Sequence, residues 1–318
     1  MEETRKWRYG THRWFVLLFI ILGVVFAKMY APIMPHVQVA PERISHTPLF
    51  GDFYVTNTIL AMLIMDVIIV LFFLPFMRAA KGGSLLPEGG FAGAGEAIVE
   101  MLHNMVETTA GKATKAIFPW VTTIFITVLV ANLMELIPGV DSIGFFEKSG
   151  HGYQIENTFI PGVMALVKEE GHYMVTAYIR VLSTDLNFTA ALALISVVMT
   201  QVIGVKYQGL GYFSKFLYTR TLFSKPFLGV MDLMVGLLEL VSEFSKVLSF
   251  TFRLFGNVFA GSVLLFLVGS MIPVFAQSML LTFEFGIGII QAYVFAMLTL
   301  VFMAQAAAGH GGEEHEEA

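Results

Sequence analysis

The sequence predicts an all-α membrane protein with about six membrane helices, the last two of which are long, steeply tilted and paired in a hairpin. Hydrophobic residues make up 56% of the 318 residues and charged residues only 14%, a composition typical of integral membrane proteins. Between residues 229 and 272 no proline interrupts a helical pattern that would be about 66 Å long, twice the ~30 Å hydrocarbon core. Such a helix must tilt or bend, and packing against other protein must hold it there.

The N-terminal part of the chain, residues 1–56, is predicted to be an addition to the main membrane unit. Arg5, Lys6, Arg8 and Arg13 precede an apolar run at 14–27, which is either a first membrane helix or the core of a secretory signal. We favour the helix, with the basic flank in the cytoplasm. The following prolines indicate an extended extracytoplasmic linker. The membrane core is then 57–308, and residues 309–318 form an acidic tail that we expect to be disordered.

The middle of the chain is predicted to hold two spanning helices with an amphipathic helix between them. The first, 57–77, buries Asp66, for which a helix-packing hydrogen bond is a better explanation than a proton relay. Residues 89–115 are too polar to span and are expected to lie along the cytoplasmic interface. The next helix, 117–137, crosses outward and carries Asn132 and Glu135 on one face near its outer end.

A long loop and a further helix are expected between residues 139 and 205. We predict a solvated extracytoplasmic loop at 139–184, with a short helix near 163–167, and we do not expect its histidines to bind metal. Asp185 opens the next helix, where it could act simply as an N-cap. With basic residues between 206 and 225 in the cytoplasm, twelve Lys and Arg lie inside and five outside, as the positive-inside rule requires. Both termini are then cytoplasmic, and the last helix, about 277–305, returns inward.

The 229–272 helix carries a stripe of polar residues at spacings of three and four, which places them on one face. Its members are Glu239, Ser242, Glu243, Lys246, Ser249, Arg253 and Asn257. The two glutamates and Lys246 could form an ion-pair ladder at a membrane surface. Arg253, however, has no acid within one turn on its own helix, so its counter-charge must come from another helix or another subunit. An arginine at this depth indicates function.

The intramembrane polar residues sort by depth into two sets around Arg253. Glu239 lies toward the cytoplasm, whereas the outer set comprises Ser262, Glu284, Glu135 and Asp185. Asn257 and Gln291 fall between the two sets, with Arg253. Two hydrophilic pockets separated by a fixed positive charge suit a proton path without leakage. A guanidinium stays protonated at physiological pH, so Arg253 would act on a partner carboxyl group and make it release its proton to one pocket.

Two C-terminal runs resemble subunit a of the F-type ATP synthase, the stator half of its rotary proton channel. They read FRLFGNVFAG at 252–261 and QAYVFAMLTLV at 291–301. Residues 131–138 and 184–187 are similar to earlier helices of that family, and the resemblance covers the chain from about residue 56.

The resemblance implies a role for each polar residue. Arg253 would face the carboxylates of the rotating c-ring, with Asn257 and Gln291 as its polar neighbours. Glu239 would line the cytoplasmic half-channel. The outer half-channel would be lined by Glu284, Asn132, Glu135 and Asp185. Bacterial members often have an acid nine residues after the arginine and a histidine seven before the glutamine, whereas this chain has Ser262 and Glu284 there, so one carboxylate occupies a swapped position.

The family further implies a non-catalytic, multi-pass subunit of an ATP-synthesising complex in a bacterial plasma membrane. Its expected partners are the c-ring, peripheral-stalk b subunits and lipid, with no cofactor, metal or nucleic acid. Three alternatives are a sodium-coupled version of the same role, a stand-alone secondary transporter and a structural scaffold. The sequence of a secondary transporter would be expected to show internal repeats and broken helices, and we find neither. A scaffold predicts that Arg253 and Glu284 tolerate neutral replacement.

Overall fold

The structure, a computed structural model, describes residues 12–29, 40–45, 48, 51–81, 91–137, 140, 143–157, 164–216, 226–271 and 275–308. The described helices are α1 (His12–Met29), α2 (Asn57–Lys81), α3 (Phe91–Ala110), α4 (Thr114–Met134), α5 (Leu186–Gln208), α6 (Pro226–Met271) and α7 (Phe275–Ala308). Within these ranges five stretches are long and apolar enough to cross a membrane: Asn57–Pro75, Gly95–Met134, Leu186–Gln208, Gly229–Gly269 and Ala276–Ala308. The all-α membrane fold class is confirmed.

The two C-terminal helices match their predicted extents closely. Helix α6 has 46 residues and α7 has 34, so α6 is about 69 Å long at ~1.5 Å per residue. The turn predicted near Pro273 lies outside the described residues. So do the basic residues before residue 12, most of the proline-rich linker and the tail at 309–318.

A break at Gly111 separates α3 from α4. Gly111 has a φ of +49°, in the left-handed region that favours glycine, and Gly111–Ala113 form a short 3-10 turn. Helix α3 is amphipathic as predicted: Leu102 and Val106 are buried whereas Glu100 and Glu107 are exposed. Its position at the membrane interface stays a prediction.

The prediction of a short helix near residues 163–167 is wrong. Strand β1 (Gly144–Asn157) pairs antiparallel with β2 (Met164–Ala177), so residues 164–167 belong to a β-hairpin. Aromatic and β-branched side chains, which favour a pleated surface, recur along both strands. Gly171 lets the two strands approach each other closely, because a Cβ at this position would collide with the backbone of Tyr153. A loop rich in charged residues and glycines conceals that pattern.

Helix α7 is central to the helical core and packs against α3, α4, α5 and α6. Ala292 and Ala296 are fully buried, and small residues at this spacing let helix backbones approach closely. The rings of Phe250 on α6 and Phe295 on α7 stack at 4.8 Å between centroids, and Leu254 is also fully buried. This packing fixes the segment of α6 on which Arg253 lies.

Candidate functional site

Arg253 has little to bind within this chain. Its Nη2 donates a long hydrogen bond of 3.4 Å to Ser249 Oγ, one turn earlier on α6, and its Nη1 is buried without a hydrogen-bond partner. Among the described residues no carboxylate lies within 4.0 Å of the guanidinium. Buried donors are normally paired, and no described residue of this chain satisfies this one.

Asn257 and Gln291 lie beside this region on α6 and α7. Asn257 follows Arg253 by one helical turn and is partly exposed. Gln291 is only 7% exposed, and its Nε2 has no hydrogen-bond partner. The structure thus leaves a second unsatisfied donor, on α7, and in the described part of the chain it shows no hydrogen bond between Gln291 and Arg253.

An outer polar cluster forms where α4, α6 and α7 converge. Ser262 Oγ on α6 donates a hydrogen bond to Glu135 Oε1, at the end of α4. Glu284 on α7 is buried at 8% exposure, and its carboxylate rests against Gly261, where an added Cβ would collide with it. The structure therefore brings together Glu135, Ser262 and Glu284, three residues that the sequence assigned to the outer side.

Asn132 joins three elements of this outer cluster. Its Nδ2 donates to the backbone oxygen of Gly288 on α7 at 3.2 Å, and its Oδ1 accepts from Ser183 Oγ at 2.7 Å. Asn132 is 4% exposed and Ser183 is fully buried. The amide thereby fixes α4 against α7 and against the 3-10 turn Leu182–Thr184 that precedes α5.

Asp185 acts as the N-cap of α5, as one of the two predictions for it proposed. Its Oδ1 accepts from the backbone N–H of Asn187 at 2.8 Å, and its Oδ2 accepts from Thr58 Oγ1 on α2 at 2.6 Å. Both carboxylate oxygens are therefore engaged, and they connect α5 to α2. A role for Asp185 in an outer half-channel stays a prediction.

At the opposite end of α6, four charged residues surround a polar cavity. Glu243 accepts from Lys246 at 3.0 Å, so that part of the predicted ion-pair ladder is confirmed, and from Lys215 at 3.2 Å. Lys215 also lies 3.6 Å from Glu239. The cavity, of about 190 Å³, has room for several waters at ~30 Å³ each. Its lining includes Thr200, Tyr212, Ser214, Lys215, Glu239, Glu243, Lys246 and Gln305.

Burial and charge shift the pKa of two groups in the 3-10 segment Gly209–Lys215, outside the predicted membrane spans. Burial raises the pKa of Tyr212, because it disfavours the phenolate more than the nearby Lys215 ammonium stabilises it. For Lys215, burial lowers the pKa, but the hydrogen bond to Tyr212 and the charge of Glu243 outweigh burial and the net pKa is raised. The raised pKa favours the charged form of Lys215, which lines the cavity.

The two polar clusters lie at different distances from Arg253 along α6. Glu239 precedes Arg253 by fourteen residues and Ser262 follows it by nine, which corresponds to about 21 Å and about 14 Å along a helix. One helix thus carries a charged cavity, a partly exposed arginine and a carboxylate-rich cluster in sequence. Along α6 the arginine therefore lies between two groups of titratable side chains.

Sequence reasoning missed several residues that complete these clusters. Lys215 was counted only as a basic residue of a cytoplasmic loop, and Thr58, Ser183 and Gly261 carried no signal of their own. The hint in the sequence was a spacing: Lys215 precedes Glu239 and Glu243 by about the length of one membrane helix, and the two glutamates lie four residues apart.

Within the described residues no group of three His, Asp or Glu side chains could hold a metal ion.

Comparison with known proteins identifies the family. Residues 59–304 match the family model for the ATP synthase A chain. "ATP synthase subunit a" of Pseudoalteromonas atlantica is 32% identical over 76% of this chain and 84% of that protein. "ATP synthase subunit a 1" of Photobacterium profundum is 34% identical over 66% and 72%, and the Geotalea uraniireducens protein is 29% identical over 74% and 82%. The chain belongs to the ATP synthase A chain family.

Proposed function

We propose that this chain is the proton-translocating stator subunit of a rotary ATP synthase, with two offset half-channels and Arg253 as the charge between them. The observation that carries the proposal is the guanidinium itself. It lies on a partly exposed part of α6, it has a buried donor without a partner, and no carboxylate of the described chain neutralises it. A carboxylate of a partner ring is the complementary group.

The outer cluster is the proposed entrance from the extracytoplasmic side. Glu135 and Glu284 can each take up and release a proton, and the hydroxyl of Ser262 both donates and accepts. Their convergence from three helices supports a hydrated path that ends at the face of α6. Gln291 lies deeper on α7 and has a free donor for a ring carboxyl group or a water.

The polar cavity between α5, α6 and α7 is the proposed exit to the cytoplasm. Glu239 lies at its edge, partly exposed, and accepts only a long contact from Lys215. Glu243, by contrast, is shared by two lysines. Glu239 is thus the carboxylate better placed to exchange protons with water, while Glu243 organises the two cations around it.

Arg253 separates the two paths because its charge persists at all physiological pH values. A protonated ring carboxyl group that moves next to Arg253 would lose its proton into one half-channel and be reprotonated from the other after rotation. The membrane potential supplies about 2.3 kcal/mol per charge per 100 mV for this transfer. The direction of rotation would then follow the direction of the gradient.

The test replaces Arg253 with alanine in the complete complex reconstituted into vesicles. Arg253→Ala should abolish ATP-driven acidification, measured with a pH-sensitive dye, while the complex still assembles. Ser249→Ala is the matched control, because it removes only the 3.4 Å hydrogen bond on the same helix and should leave pumping close to normal. Normal pumping by Arg253→Ala would refute the proposal.

The same vesicles separate protons from sodium as the coupling ion. If protons are the coupling ion, acidification should persist in sodium-free buffer, and a protonophore should abolish it. If sodium is the coupling ion, the chain would need sodium for pumping, and a protonophore would accelerate sodium uptake rather than prevent it.

A further inference from the structure

A single carboxylate, Asp66, lies in the middle of the apolar stretch of α2. That stretch, Asn57–Pro75, has 19 residues and a mean hydropathy of 2.6, and Asp66 is its tenth residue. At ~1.5 Å per residue the carboxylate is about 14 Å along the helix from either end of the stretch. It therefore lies too deep for its side chain to reach the membrane surface.

Asp66 points away from the rest of this chain. The opposite side of α2 is buried at Ala61 and Met65, whereas Asp66 is exposed between Leu63, at 56%, and Val70, at 60% exposure. The structure shows neither a hydrogen bond nor an ion pair of Asp66 with any described residue. The hydrogen bond predicted for Asp66 thus has no partner in the described part of this chain.

None of the other described elements supplies the missing partner. Helix α2 packs mainly against α3, α4 and the turn Leu182–Thr184, and the mid-depth cation Arg253 is on α6. The apolar run of α1 at 14–27 contains neither a charged, an amide nor a hydroxyl side chain. Ionisable residues at this depth face protein or water and pair with another group.

We propose that the face of α2 around Asp66 docks a transmembrane helix of another subunit of the complex, one that presents a basic side chain or another hydrogen-bond donor at mid-membrane depth. The exposed apolar residues Leu63, Val67 and Val70 supply the packing surface, and the carboxylate sets the register, because an unpaired polar group in hydrocarbon is unfavourable. This contact is independent of the proton path proposed for α6 and α7.

The chemistry of the site favours a donor helix over the other occupants. Lipid headgroups cannot reach a carboxylate at the middle of the hydrocarbon core. A second copy of this chain, docked through the same face, would place another Asp66 carboxyl group opposite the first and would supply no basic side chain. A helix from a different subunit satisfies both the apolar surface and the charge.

The test places a photoreactive benzophenone amino acid at Leu63 or Val70, one turn on either side of Asp66, in the assembled complex. Irradiation should link both positions to a membrane helix of another subunit, and peptide mapping should find a hydrogen-bond donor within one turn of the linked residue. Introducing Asp66→Leu should lower the yield roughly three- to tenfold. Asp66→Asn, which can still hydrogen-bond, should lower it less.

The same probe at Leu194 on α5, which is also exposed, is the matched control, and its adducts should not respond to Asp66→Leu. Adducts only with lipid, with this chain or with a second copy of it would overturn the proposal. So would a yield at residues 63 and 70 that is unchanged by Asp66→Leu. Leucine favours helix, so loss of α2 itself is not expected.

Discussion

Gly261→Ala should impair proton transfer without harming the helix that carries it. Residue 261 lies on α6 against the carboxylate of Glu284, and an added Cβ would lie 2.7 Å from Glu284 Cδ. Ordinary contacts of this kind begin near 3.4 Å, so the carboxyl group must move by at least about 0.7 Å, the difference between the two distances. Displacements of about 1 Å can reduce a proton-transfer rate by up to ~100-fold, whereas alanine in a helix is more favourable than glycine by about 1 kcal/mol.

The assay is ATP-driven acidification of vesicles, normalised to the amount of assembled complex. We expect a ten- to hundredfold loss with normal assembly. Gly286→Ala on α7, whose Cβ would meet no atom of this chain within 4 Å, is the control. Normal pumping by Gly261→Ala would show that the position of the Glu284 carboxyl group does not matter.

Two further predictions concern the clusters at either end of α6. Asn132→Leu leaves the Ser183 hydroxyl without its acceptor, at a cost of about 1–3 kcal/mol, and removes the bond to the Gly288 carbonyl. The complex should therefore lose pumping at a lower temperature; an unchanged heat-inactivation profile would contradict the bridging role. Lys215→Met should slow proton exit to the same degree at about pH 6.5 and pH 8.5. The pKa of Lys215 is raised, so the lysine keeps its charge at both pH values and loses it only above the ordinary lysine range. An effect of Lys215→Met that vanishes at the higher pH would contradict this role of the charge.

Periodicity and charge were sufficient to predict the long helices. A run without proline from residue 227 to residue 271 leaves few alternatives to a single helix, and the bounds of α7 were predicted equally well. The hairpin of β1 and β2 was missed because charged residues and glycines interrupt the alternation of apolar side chains in both strands. Pairing of this kind depends on close backbone approach at Gly152 and Gly171, which a local pattern of charged residues and glycines does not reveal.

The candidate site was predicted by residue type but not by pairing. Glu135, Ser262 and Glu284 were assigned to one side, and the structure brings them together. Their contact depends on how α4, α6 and α7 cross, which requires the three-dimensional packing of the helices. Lys215 was missed for the same reason: its ion pairs join a short 3-10 segment to residues 24 and 28 positions later.

The most direct test of the central claim is an experimental density map of the assembled complex in a lipid bilayer, interpreted at the Arg253 side chain. The account predicts a carboxylate from another subunit within about 4–6 Å of the guanidinium, on the exposed side of α6, with water-filled density leading separately to Glu239 and to Glu284. Density that shows only lipid tails around Arg253, or a guanidinium paired with a carboxylate of its own chain, would contradict it.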